Sequence, residues 1–196
     1  MRPGVPIVPK VIIAVLVLVC VGCGTSTGEQ PIDSAAGGEG SVTPVNPVSV
    51  RELLALLPAP AGWEREKPTG ERLTSPVNFA DAMVRLMKGD ATVTAKITDT
   101  ALNQVLMAPY AGSLAGADDR KTSNGYEKAI RVGDSPAFEK WDAATKSGTV
   151  TVVVNKRFIV EIDGSSIDDP KVLHEILEKI DLRKLADLNE KPARGS

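Results

Sequence analysis

The sequence predicts an α+β domain, a single antiparallel sheet of about five to seven strands with helices packed on it, preceded by a disordered N-terminal tether. Three observations carry that expectation. Two stretches alternate apolar and polar residues and close on themselves as hairpins. Other stretches place apolar residues three and four apart, as a helix lying on a sheet requires. The order is helix, strand pair, helix, several strands, helix, which segregates hairpins from helices where a parallel sheet would alternate them.

Val50 to Leu57, with Val50, Leu53, Leu54, Leu56 and Leu57 apolar, reads as a short amphipathic helix that Pro58 stops. In the stretch Asp81 to Thr98, Gly89 and Asp90 suit the centre of a two-residue turn, with Gly first as a type II′ turn prefers. Leu86 then faces Val93, Val84 faces Ala95 and Ala82 faces Ile97. The opposite face carries Met83, Arg85, Met87, Thr92, Thr94 and Lys96. Asp99 or Thr100 can cap a helix whose Leu102, Val105 and Leu106 share a face and which continues past Pro109 towards Tyr110 and Leu114, Pro109 kinking or ending it. Asp118 to Gly125 reads as a polar loop, Tyr126 to Val132 as a strand and Phe138 to Trp141 as the start of another.

The clearest pair is Gly148 to Asn155 with Phe158 to Asp163. A two-residue turn at Asn155-Lys156 would set Val154 against Arg157 and mix the faces. A three-residue loop, or a bulge, sets Val154, Val152 and Val150 against Phe158, Val160 and Ile162, so that register is expected. Asp168-Asp169-Pro170 then opens the last helix, with an acidic cap, Pro at the first helical position and a stripe of Val172, Leu173, Ile176, Leu177 and Ile180. The closing strand pair and helix, with the run Arg157-Phe158-Ile159-Val160-Glu161-Ile162, resemble the end of the Mog1/PsbP-like folds over the last third of the chain.

Composition narrows the function. Apolar residues at 42% and charged residues at 24% are ordinary values for one folded domain. The N-terminus reads as an address: Arg2 and Lys10 precede an apolar run, Val11 to Val19, that closes on Cys20-Val21-Gly22-Cys23. Val11 to Val21 is far shorter than the ~20 residues a permanent membrane helix needs. Val21-Gly22-Cys23 resembles the lipobox of bacterial lipoproteins, with Cys20 standing where that family usually has Leu. The resemblance implies cleavage before Cys23 and lipidation of Cys23, hence attachment to the cell membrane or outer membrane with the domain on the periplasmic or extracellular side. Gly24 is not the aspartate that retains enteric lipoproteins in the inner membrane.

The expected organisation is a signal peptide over 1–22, a lipidated cysteine and flexible tether over 23–48, one domain over 49–189 and a disordered tail over 190–196. Removing Arg2 and Lys10 with the signal leaves 21 basic against 25 acidic residues, a net charge of −4, which disfavours a nucleic-acid partner. Cleavage also leaves Cys23 as the one cysteine, so no internal disulfide and no cysteine metal site is expected. The Gly-, Ser-, Thr- and Pro-rich stretch from Gly24 to Val48 buries too little to order itself and would reach about 25–30 Å from the membrane.

Candidate chemistry is sparse. His174 is the one histidine, read as a solvated helix residue. A triad of Ser165 or Ser166, Asp168 and His174 lacks the strand, nucleophile elbow and helix that would present such a serine, and a turn followed by a helix cap explains these residues more simply. The loop Asp163 to Asp169 carries carboxylates suited to calcium but lacks the EF-hand order and its closing glutamate. No catalytic residue, metal ligand or cofactor is therefore assigned. For binding, the Ala/Gly-rich stretch Ala101 to Ala117 could cover an apolar ligand through Leu106, Met107, Tyr110 and Leu114, against the plainer reading of a packed crossover helix. Trp63 and Trp141 could be contact anchors, against the plainer reading of core residues. The expected function is a membrane-anchored envelope lipoprotein with a non-enzymatic domain that binds another envelope protein or serves a structural role. The alternative is a carrier of an apolar molecule or lipid between the 101–117 helix and the sheet.

Overall fold

A computed structural model describes residues 45–114 and 119–189, apart from the side chains of residues 113 and 114. The expectations for the signal, Cys23, most of the tether and the tail lie outside the described residues, as does the side chain of Leu114. The domain is a mostly antiparallel-sheet structure with nine strands and four helices among the described residues. In chain order these are α1 (Val50–Leu54), β1 (Glu64–Arg65), β2 (Thr69–Leu73), β3 (Phe79–Lys88), β4 (Ala91–Asp99), α2 (Gln104–Leu114), β5 (Arg120–Lys121), β6 (Gly125–Val132), β7 (Ser135–Asp142), β8 (Ser147–Val154), β9 (Phe158–Ser165), α3 (Lys171–Leu177) and α4 (Leu182–Asp187). The spatial order is β1-β3-β4-β9-β8-β7-β6-β5, with β2 also on β3.

The single antiparallel sheet with helices packed on it is as the sequence indicates, but nine strands exceed the expected five to seven. The additions are β1, β2 and β5, of two, five and two residues, each made of exposed residues only. Such short outer strands bury no side chain, so no apolar alternation marks them.

Both hairpin registers follow the hydrophobic pattern. Leu86 pairs with Val93, Val84 with Ala95 and Ala82 with Ile97. Gly89 adopts a positive φ of 58° and Asp90 does not, the signature of a type II′ turn. Val154 pairs with Phe158, Val152 with Val160 and Val150 with Ile162. Asn155 and Lys156 are both left-handed (φ 51° and 53°), and the Arg157 N–H donates to the Val154 carbonyl at 3.0 Å. A tight turn and a bulge thus combine, and Arg157 is the extra residue that keeps the valines facing their partners.

One sheet face therefore carries Val84, Leu86, Ile97, Val150, Phe158 and Ile162, all buried. The side chains of α1, α3, α4 and their flanking turns close over it, with Leu53, Leu173, Ile176 and Leu185 also buried. Gly148 and Gly164 pair directly across β8 and β9. A Cβ on Gly164 would stand 2.8 Å from Leu173 Cδ2, and one on Gly148 3.2 Å from Leu173 Cδ1, so the two glycines make the hollow that seats α3. The last helix is shorter than its apolar stripe: α3 stops at Leu177, Ile180 is buried in the following turn, and Asp181 caps α4 through the Lys184 N–H at 2.9 Å.

Asp99 caps nothing at α2, contrary to expectation. Asn103 does so instead, its Oδ1 accepting from the Val105 N–H at 2.9 Å, and α2 starts at Gln104 and runs through Pro109 to Leu114. Asp99 is fully buried and takes the Arg157 guanidinium in two parallel bonds, Nε to Oδ1 and Nη2 to Oδ2, each 2.8 Å. The same carboxylate accepts from the Val48 N–H at 2.7 Å and the Ala101 N–H at 2.8 Å. Arg157 donates further to the Asn46 carbonyl and Asn189 Oδ1, and its own carbonyl, freed from the ladder by the bulge, accepts from the Thr100 N–H and Oγ1. The folded part consequently begins by Val45, whose N–H donates to the Ala101 carbonyl at 3.0 Å, earlier than the expected boundary at Ser49.

Truncating one partner of such a pair leaves an uncompensated buried charge, whereas replacing both removes the charge problem. Asp99→Ala is expected to lower unfolding stability in urea by about 3–5 kcal/mol, and Asp99→Val with Arg157→Leu by clearly less than either single variant. Additive losses would show that the two residues act independently.

Candidate functional site: a buried carboxylate beside an open groove

The β6–β7 hairpin turns at Gly133-Asp134, with Gly133 at φ 58°, and sets Lys128 opposite Glu139 and Tyr126 opposite Trp141. These four side chains share the sheet face that carries α3. Glu139 would be an apolar position by the pattern of its neighbours Ala137 and Trp141, yet it is an acid only 2% exposed. Three donors answer it. Tyr126 Oη–H donates to Oε1, while Lys128 Nζ and His174 Nε2 each lie 3.2 Å from Oε2. An ionised carboxylate can only accept, so the proton of His174 facing it sits on Nε2. Lys128 Nζ also lies 4.5 Å from the centre of the Tyr126 ring, a cation–π contact that holds the ammonium between ring and carboxylate.

Burial pushes the Glu139 carboxyl up, but hydrogen bonds from Tyr126 and Lys128 and the positive charges of Lys128 and His174 outweigh it and hold it below the usual carboxylate range. Burial first, and then the bond to Glu139, raises the Tyr126 hydroxyl above the usual range. At neutral pH the acid is therefore ionised and the phenol protonated. Neither is poised to exchange a proton there.

His174 also lines a groove of about 780 Å³ between the tip of the β6–β7 hairpin and the α3–α4 segment. Val132, Leu177, Ile180 and Leu182 supply apolar surface, and Arg131, Asp134, Lys179 and Arg183 supply charges of both signs. Arg131 folds back on its own turn, Nη2 donating to the Asp134 carbonyl at 2.6 Å.

The residues singled out in the sequence are distributed elsewhere. Trp141 is buried in the core and Trp63 is half-buried, with Lys88 Nζ 5.9 Å from its ring centre. Leu106, Met107 and Tyr110 lie half-buried on α2, while Val105 on the same helix is 73% exposed. Tyr110 Oη–H donates to Glu161 Oε1 at 3.2 Å, which puts α2 on the sheet face opposite α1 and α3. Burial and then the Glu161 charge push the Tyr110 hydroxyl up to about 12. His174 is not simply solvated: its partner is Glu139. Asp168 pairs with Lys146 Nζ at 2.6 Å, and neither Ser165 nor Ser166, both exposed, hydrogen-bonds to His174. Among the described residues no three His, Cys, Asp or Glu side chains converge as a metal site, and no helix is long and apolar enough to cross a membrane.

Sequence reasoning missed Tyr126, Lys128 and Glu139 as a group. A signal was present: Gly133-Asp134 repeats the Gly-Asp pair that turns β3 into β4, and assigning it a hairpin would have aligned Lys128 with Glu139. Compared with protein-family models, curated proteins and solved structures, the chain matches none of them.

Because the Glu139 carboxyl lies lower in the folded protein than in the unfolded chain, its stabilising contribution is complete above about pH 4.5 and disappears as pH falls through the folded value. Glu139→Gln is expected to be less stable than wild type at pH 7 by about 1–3 kcal/mol, a difference that shrinks below about pH 4. Urea unfolding across a pH series measures it, and a gap that stays constant from pH 3 to 7 would remove the carboxylate charge as its cause.

Proposed function

We propose that this chain is a bacterial envelope lipoprotein, held on a membrane by lipid on Cys23, whose folded domain binds a protein partner and performs no chemistry. One observation carries the reading: the groove between the β6–β7 hairpin and the α3–α4 segment pairs an apolar floor with a rim of both charge signs, the composition of a protein contact surface. The cluster at its end supports the same view. Glu139 is spent on three internal donors, and among the described residues no Ser, Thr or Cys side chain bonds to Glu139 or His174, so the base has no nucleophile to activate. The cluster fixes one wall of the groove.

The N-terminal pattern of Arg2, Lys10, an apolar run and Gly22-Cys23 supports the anchor. The Gly-, Ser-, Thr- and Pro-rich composition that follows Cys23 supports a tether, and a chain of such composition reaches about 25 Å over roughly twenty residues, enough to meet another envelope protein but not to leave the surface.

Cross-linking in native membranes followed by capture is expected to recover a protein with the wild type and to lose it with Cys23→Ala. Recovery of only a small apolar molecule would favour instead a carrier working between α2 and the sheet. A palmitate analogue is expected to label the wild type and not Cys23→Ala; equal labelling would end the lipidation reading.

A further inference from the structure

Among the described residues the large apolar side chains that stay exposed are Val105, 73% exposed, Leu73 at 43%, Met83 at 37% and Val45 at 36%. The fold gathers them on one side. Leu73 pairs with Phe79 and Thr69 with Met83, and Phe79 and Met83 alternate along β3 with the buried Ala80, Ala82 and Val84, so Leu73, Phe79 and Met83 lie on the sheet face opposite α1 and α3. That is the face on which α2 lies, carrying Val105. Val45 joins them through its backbone: its N–H donates to the carbonyl of Ala101, just before α2, and its carbonyl accepts from Nδ2 of Asn78, next to Phe79, each at 3.0 Å.

α2 is ill-suited to water. The sequence has no charged residue from Thr100 to Ala117, so this helix has no charged face to turn outward. A helix that is apolar all round is ordinarily buried, in a protein core or in lipid. Here one side rests on the sheet through Tyr110 and Glu161, while Gln104, Val105, Ala108 and Pro109 are exposed. On the same sheet face Lys96 pairs with Asp81 and Lys140 with Glu127, so these charges are answered locally and the surface left over is apolar.

We propose that this side of the domain rests on the lipid bilayer that holds the chain, with Val105, Met83 and Leu73 entering the boundary between headgroups and acyl chains. The inference rests on the anchor at Cys23. The chain that would carry that anchor joins the domain at Val45, beside Ala101 and the start of α2, so the attachment draws this side towards the bilayer rather than the side with α3 and α4. A contact too weak to hold a free protein is sufficient here, because a tether makes the second contact intramolecular. The groove, walled by α3 and α4, then lies away from the bilayer and open to a partner.

The test uses the full Cys20→Ser chain from cell-free synthesis, coupled through the Cys23 thiol to a maleimide phospholipid in phosphatidylcholine vesicles, so it is independent of what the cell does to Cys23. A photoreactive benzoylphenylalanine stands in place of Val105, of Met83 or, as a control on α3, of the exposed Glu175. Illumination is expected to give a protein–phospholipid adduct, read by mass, at positions 105 and 83 and not at 175. Val105→Asp is expected to lower the adduct at position 83 several-fold and to leave the thermal transition within a few degrees of wild type, since an exposed residue is changed. No lipid adduct at 105, equal adducts at 105 and 175, or a cross-link from 105 to a second copy of the chain overturns the inference. Failure of the anchor reading is seen separately, as equal palmitate labelling of wild type and Cys23→Ala.

Discussion

The contact between Asp99 and Arg157 holds the ends of this domain together. Burying two charges is costly, and their attraction alone is not enough to offset it. Here the remaining valences are used as well. The carboxylate takes backbone N–H groups from Val48 and Ala101, and the guanidinium reaches the Asn46 carbonyl and Asn189. Four parts of the chain thereby meet at one point: the segment entering the domain, the exit of β4, the β8–β9 turn and the end of α4. The bulge at Arg157 is what makes this geometry available, since it both turns the side chain towards Asp99 and frees the carbonyl that Thr100 uses.

From that fixed end the core runs across the sheet. In the centre, β3, β4, β9 and β8 present Val, Leu, Ile and Phe to the helices, and the paired glycines let α3 approach closely. Towards β6 and β7 the same face continues apolar through Ala137, Trp141, Ile130 and Val132, except that a carboxylate with three donors takes the position where an apolar residue is expected at Glu139. A satisfied buried network is directional where apolar packing is not, so it sets the position of α3 relative to β6 and β7 more narrowly than oily contacts would. The groove lies at the tip of this hairpin, between the Gly133-Asp134 turn and the α3–α4 segment.

Much of the fold was legible. The alternation in Ala82–Leu86, Val93–Ile97, Val150–Val154 and Phe158–Ile162 has one register that keeps large side chains together, and a slip of one residue would expose all of them. That constraint is local to each hairpin, so sequence alone decides it. The short strands β1, β2 and β5 were not legible because their side chains stay in water and carry no pattern. The Glu139 cluster was only partly so, since its hairpin has a recognisable Gly-Asp turn but its fourth member, His174, arrives from 35 residues away on another element.

The sequence by itself determined the β3–β4 and β8–β9 pairs and the apolar face of the last helical stretch, because each depends on neighbours within one hairpin or one short run. Only the tertiary structure decided the roles of Asp99, Arg157, Glu139 and His174. A charged residue near a turn reads as a cap or a solvated loop until the fold withdraws it from water, and then the cost of burying its charge dictates which distant group must come to meet it.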